Sequence, residues 1–92
     1  MGVQAAEAAL RGEARDVYGW SNGPHDTYAE HSHAYRKVLV CVSGSIEFRL
    51  ADGRTIRLGP GDRMELQPGT RHSAVVGPSG CECLEGRLEE KP

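Results

Sequence analysis

The chain reads as an all-β domain, a sandwich or barrel of about eight short strands preceded by one short helix. Three observations predict this. β-Forming segments are separated by Gly-, Pro- and Asn-containing turns at intervals of roughly eight to twelve residues. Stretches such as Ile46-Glu47-Phe48-Arg49-Leu50 alternate apolar and polar side chains at period two, as a half-buried strand does. No strand–helix–strand alternation marks a parallel sheet.

Taken in order, residues 3–14 are Ala-rich with Glu and Arg, which suits a short helix weakened at its end by Gly12, in a helical segment spanning 1–16. Val17 to Trp20 forms a first strand and Ser21-Asn22-Gly23-Pro24 a turn. Thr27 to His33 and Lys37 to Val42 follow as strands, with Ser43-Gly44-Ser45 turning the chain into Ile46–Leu50. Asp52-Gly53 is a hairpin signal because both residues tolerate positive φ. Thr55–Leu58 pairs back, Gly59-Pro60-Gly61-Asp62 turns, and Met64 and Leu66 alternate with Glu65 and Gln67. Pro68-Gly69 turns again, His72–Val76 is a strand, Gly77-Pro78-Ser79-Gly80 a turn, and Cys81–Gly86 the last strand of a domain spanning 17–86. Residues 87–92 read as a charged, frayed tail. The expected core is Ile46, Phe48, Leu50, Ile56, Leu58, Met64, Leu66, Val75 and Leu84, with Tyr28 and Trp20 as packing or interface residues.

Composition bounds the function. Ninety-two residues with 38% hydrophobic content, one Phe and one Trp make a single domain with a modest core, for which a homodimer is expected. A net charge of −2 gives no electrostatic case for nucleic acid or an anionic membrane. No apolar run approaches the roughly 20 residues of a membrane span, and no signal-peptide core opens the chain, so a cytoplasmic location is expected. Three cysteines, Cys41, Cys81 and Cys83, with no C-x-x-C, read as small buried hydrophobes.

His31 and His33 stand one residue apart, and in an extended strand i and i+2 leave the same face. His72 follows the turn Pro68-Gly69-Thr70-Arg71. A third imidazole arriving from a neighbouring strand completes a three-nitrogen face able to hold a divalent transition metal. His25, beside Gly23-Pro24 and Asp26, reads as a turn residue.

These residues carry a resemblance. His31-Ser32-His33, then Lys37, then six residues to Gly44, together with Gly61-Asp62, a strand, Pro68-Gly69, two residues and His72, resemble the two motifs of the cupin superfamily over residues 17–86. The resemblance implies a double-stranded β-helix, a jelly-roll barrel, with a metal held by His31, His33 and His72. It implies no single function, because cupins include dioxygenases, isomerases, lyases, storage proteins and ligand sensors. The chain departs from the motifs at Lys37, where the family carries a ligating Glu, at Gln67, usually Pro, and at Val76, often polar.

Lysine beside a metal needs a physical account. An ammonium about 4 Å from a divalent cation is repelled by roughly 8 kcal/mol at an effective dielectric constant near 20. Lys37 can turn away, pair with a carboxylate, meet an anionic ligand at an open coordination position, or lose its proton through a depressed pKa. Glu82 or Glu85 can enter the barrel as a fourth ligand, depending on which face of the last strand points inward. Tyr35 shares parity with His31 and His33 and is a candidate ligand-binding residue at the mouth, or else a packing aromatic. Lys37 and Tyr35 are thus the candidate ligand-binding residues, and Zn, Fe, Mn or Ni the candidate metals. Three readings follow: a metal-dependent small-molecule enzyme, a barrel that senses a small and possibly anionic ligand, and a structural dimer with a vestigial pocket.

Overall fold

A computed structural model describes residues 2–89. Helix α1, Val3–Arg11, is followed by strands β1 (Arg15–Asn22), β2 (Thr27–His31), β3 (Arg36–Leu50), β4 (Thr55–Leu58), β5 (Arg63–Leu66) and β6 (His72–Leu88). Two of the expected turns are absent as turns. The chain runs through Ser43-Gly44-Ser45 and Gly77–Gly80 without reversing, so β3 is one strand of 15 residues and β6 one of 17. The glycines there make register shifts instead, between Cys41 and Ser43 and between Gly44 and Ile46.

All the pairing is antiparallel, and the bends divide each long strand between two sheets. The first halves of β3 and the second of β6 pair from Arg36↔Leu88 to Gly44↔Cys81, flanked by β5 and β1. The other halves pair from Ile46↔Val76 to Leu50↔His72, flanked by β4 and β2. Six strands therefore do the work of the eight expected, and the result is the two-sheet jelly roll of a double-stranded β-helix.

The two sheets enclose one core, with Leu39, Cys41, Ile46, Phe48, Leu50, Leu58, Met64, Leu66, Ala74, Val76, Cys81 and Cys83 buried between them. A second cluster lies outside the β1–β6–β3 sheet, where Ala6 and Leu10 of α1 cover Val17, Val38, Leu84 and Leu88. Ala6 and Leu10 are four apart, so one helix face supplies both. Three core expectations change: Val75 is half-buried, Ala74 and Val76 pointing inward instead; Ile56 is half-buried at the edge of the core; and Leu84 packs under the helix rather than in the barrel. The tail also differs. Arg87 and Leu88 belong to β6 and Leu88 is buried, while residues 90–92 lie outside the described residues.

The turns are fixed by short polar side chains. Asp62 accepts the Gly59 N–H at 2.8 Å, and Asp52 accepts the Arg54 N–H at 2.9 Å beside Gly53 at φ 94°. The bend itself depends on Gly44. Its φ of 71° favours glycine, and a Cβ there would run into the Gly80 carbonyl. Gly44→Ala is expected to cost about 2 kcal/mol or more from strain and overlap together. The check is thermal unfolding, in which the midpoint falls by roughly 10 °C or more.

Candidate metal centre

His31 ends β2 and faces His72, the first residue of β6, in the strand register. Directly opposed residues project to the same side, so both imidazoles enter the barrel, with ring centroids 4.4 Å apart. His33 lies beyond the end of β2 rather than within it. What places it is the Gly69 N–H, which donates to the His33 carbonyl at 2.7 Å and ties the H-x-H segment to the turn leading into His72. The His33 ring is 5.0 Å from that of His31 and 5.5 Å from that of His72. One nitrogen from each of the three lies within 4.8 Å of the others.

The protonation of the rings suits metal binding. His31 Nδ1 lies 2.8 Å from the Ala29 carbonyl and His72 Nδ1 2.9 Å from the Thr70 carbonyl. A carbonyl only accepts, so each Nδ1 carries the proton and each Nε2 presents a lone pair. His33 Nε2 and His72 Nε2 are buried without a hydrogen-bond partner. Buried polar atoms rarely go unpaired, and three convergent imidazole nitrogens form a donor set that fits Zn, Fe or Ni. Burial, then repulsion from Lys37, lowers the pKa of His33; burial lowers that of His72 against a smaller opposing effect of the Thr70 carbonyl. Both rings are thereby held in the neutral form that ligates metal.

The imidazoles open onto a cavity of about 290 Å³ whose walls include Tyr18, Trp20, Tyr28 and Phe48. Lys37 also lines it and is buried, its Nζ 3.3 Å from Oε1 of the equally buried Glu85. The indole N–H of Trp20 donates to the same oxygen at 2.8 Å. Tyr18 stands over this carboxylate, and burial together with Glu85 pushes its phenol well above the usual range, keeping it protonated.

The structure resolves the open questions about the barrel's carboxylates. β6 turns Cys81, Cys83 and Glu85 inward, so Glu85 enters the barrel but engages Lys37 and Trp20, and it lies outside the three-histidine cluster. Glu82 is half-buried with its Oε1 3.4 Å from the Ser43 hydroxyl, away from the cavity. Among the described residues no carboxylate joins the imidazoles. Tyr35 does not line the cavity; its ring packs 5.1 Å from that of His33, with the Arg87 guanidinium 4.0 Å above its centroid. His25 sits in a turn at φ 63°. Trp20 and Tyr28, expected only to pack, form part of the cavity wall. The signal for Trp20 was its spacing of two from Tyr18, which puts both on one face of β1.

Residues 20–88 match the model of the cupin domain family. The chain is a cupin. Its fold is shared with the polyketide cyclase RemF from Streptomyces resistomycificus, at 28% identity and TM-score 0.69 over 83% of this chain and 56% of that one. An uncharacterized protein with a double-stranded beta-helix domain from Klebsiella pneumoniae is 26% identical, with TM-score 0.68 over 83% of this chain and 66% of that one. The DMSP lyase DddQ from Ruegeria pomeroyi, at 22% identity, superposes with TM-score 0.73 over 80% of this cupin and 38% of the lyase. This cupin thus spans two thirds or less of the length of each. No curated protein matches it.

The Lys37–Glu85 pair makes the site sensitive to single substitutions. Glu85→Gln leaves a buried ammonium without its counter-ion and is expected to cost about 3 kcal/mol. Lys37→Met combined with Glu85→Gln removes both charges and restores most of that loss. Urea unfolding of the two variants checks this; a double variant no more stable than Glu85→Gln would overturn it.

Proposed function

We propose that this cupin is a metal-dependent small-molecule protein in which His31, His33 and His72 hold one divalent transition metal, Zn, Fe, Mn or Ni. The observation that carries the reading is the set of convergent Nε2 lone pairs, two of them buried and unpaired, with Nδ1 of His31 and His72 committed to backbone carbonyls. Three protein ligands leave coordination positions open to the cavity, the pattern of a working rather than a purely structural site. When bound, a metal there would supply Lewis acidity or the capacity to activate oxygen or water. The protein's own residues do the rest: the aromatic wall supplies apolar contact, Tyr35 packs against the His33 ring, and Lys37 with Glu85 sets the charge beside the imidazoles. Structural neighbours that are a lyase, a polyketide cyclase and an oxalate decarboxylase support small-molecule chemistry without selecting one reaction.

Elemental analysis of protein purified without chelator or affinity-tag metal tests the reading. About one metal per chain is expected, lost in the combined His31→Ala, His33→Ala and His72→Ala variant. Wild-type protein that takes up no metal from a stoichiometric supply would overturn it.

The homodimer expected from the thin core is supported by the edge of β1, which among the described residues pairs only with β6, and by Tyr18 at 53% exposure. Sedimentation velocity at micromolar concentration is expected to show a dimer, and a monomer there would end this part of the proposal.

A further inference from the structure

Lys37 gives the cavity a chemistry that the imidazoles alone do not supply. We propose that Lys37 anchors the carboxylate of a small organic acid with a flat, apolar body, bound in the cavity beside the metal. The inference rests on the metal-dependent reading of that cavity and names the class of ligand it takes.

Three observations carry it. The first is the state of the ammonium. The Lys37 side chain is 7% exposed yet lines the cavity, and its three N–H donors have one ion partner among the described residues. That partner oxygen, Glu85 Oε1, is shared with the Trp20 indole. A buried ammonium needs its donors satisfied, and a ligand carboxylate in the cavity supplies the acceptors.

The second is charge. Glu85 cancels Lys37, so a divalent cation on the three imidazoles leaves the cavity with a positive excess that an anion neutralises and an uncharged molecule does not. Arg87, opposite Lys37 in the β3–β6 ladder, packs over Tyr35 outside the cavity with Asp16 3.6 Å away as its counter-ion, so it does not change this balance.

The third is shape. Away from Lys37 the walls are the rings of Tyr18, Trp20, Tyr28 and Phe48, and about 290 Å³ limits the occupant to a small molecule. Trp20 and Tyr28 meet edge to face at 5.8 Å, presenting flat apolar surface to an equally flat body.

Trp20 is the chain's one tryptophan, so intrinsic fluorescence reads occupancy of the cavity without any assay of activity. Benzoate and its uncharged counterpart benzamide are titrated into zinc-loaded and metal-free protein. Benzoate is expected to give a saturable change, with benzamide about tenfold weaker or more, the difference made by a charge-assisted hydrogen bond. K37M is expected to lose about tenfold or more in benzoate affinity while zinc stoichiometry stays at the wild-type value. The double variant K37M/E85Q, which leaves no unpaired buried charge, is expected to show the same loss while remaining folded by circular dichroism. The proposal is overturned if benzamide binds as well as benzoate, if benzoate gives no saturable change, or if folded K37M/E85Q keeps wild-type benzoate affinity. Protein that binds zinc but shows no dependence on Lys37 retains the metal centre and loses the anchor. Protein that binds no zinc yet discriminates benzoate through Lys37 retains the anchor and loses the metal centre.

Discussion

The ladder between β3 and β6 is the constraint on which the rest of the molecule depends. It runs from Arg36↔Leu88 at one end to Leu50↔His72 at the other and bends midway from one sheet into the next. Each functional group is set by its place along that ladder. His72 occupies the far end, opposite His31 of β2, while Lys37 and Glu85 enter from the other half through Lys37↔Arg87 and Leu39↔Glu85. Because side chains alternate at period two, a slip of one residue would turn His72, Ala74 and Val76 out of the barrel together. Gly44, nested against the Gly80 carbonyl at the bend, holds the register because no larger side chain fits that crossing.

Burial of Lys37 is tolerable only because a carboxylate meets it. Glu85 reaches the same cavity from β6 and lies 3.3 Å from the ammonium. The net charge of the pair is then zero, which lets both ions be buried. Such a pair contributes little to stability, since desolvating two ions offsets most of their attraction. Its consequence is chemical: two fixed opposite charges and an indole donor beside the imidazoles, held in a dry wall where each is stronger than in water.

How far the sequence disclosed this depends on which rule governed each segment. Alternation identified Ile46–Leu50, Thr55–Leu58 and Met64–Leu66, because those segments have one buried face and one solvated face. It failed for the strand after Gly80, where both faces are covered, Cys83 and Glu85 by the barrel and Leu84 by α1. There parity alone could not choose between Glu82 and Glu85. Ser43-Gly44-Ser45 and Gly77–Gly80 carry the composition of turns, and only the tertiary pairing decides that such glycines bend a continuous strand instead of reversing it. The three histidines were legible as a group, although for His33 the strand-spacing argument was incomplete. Its position comes from a backbone hydrogen bond to Gly69, which pairs residues distant in sequence and leaves no local signal.

The two ends of the barrel are chemically distinct, and the distinction follows from the bend. Where the ladder shifts register the backbones approach closely, and the residues there are small: Gly44, Gly80 and the thiols Cys41, Cys81 and Cys83. The Cys41 thiol, with its single proton, lies 3.4 and 3.7 Å from the Ser43 and Gly44 carbonyls, which share it as acceptors. Burial pushes all three thiols up, so they remain protonated and unreactive. Rigid, dry packing at that end fixes the directions in which β3 and β6 leave it. The other end carries groups that apolar packing alone would not accept: imidazoles with Nδ1 of His31 and His72 tied to backbone carbonyls and two Nε2 atoms unpaired, an ion pair, and an indole N–H donating to it. Their cost in stability is borne by a core that is elsewhere apolar and continuous.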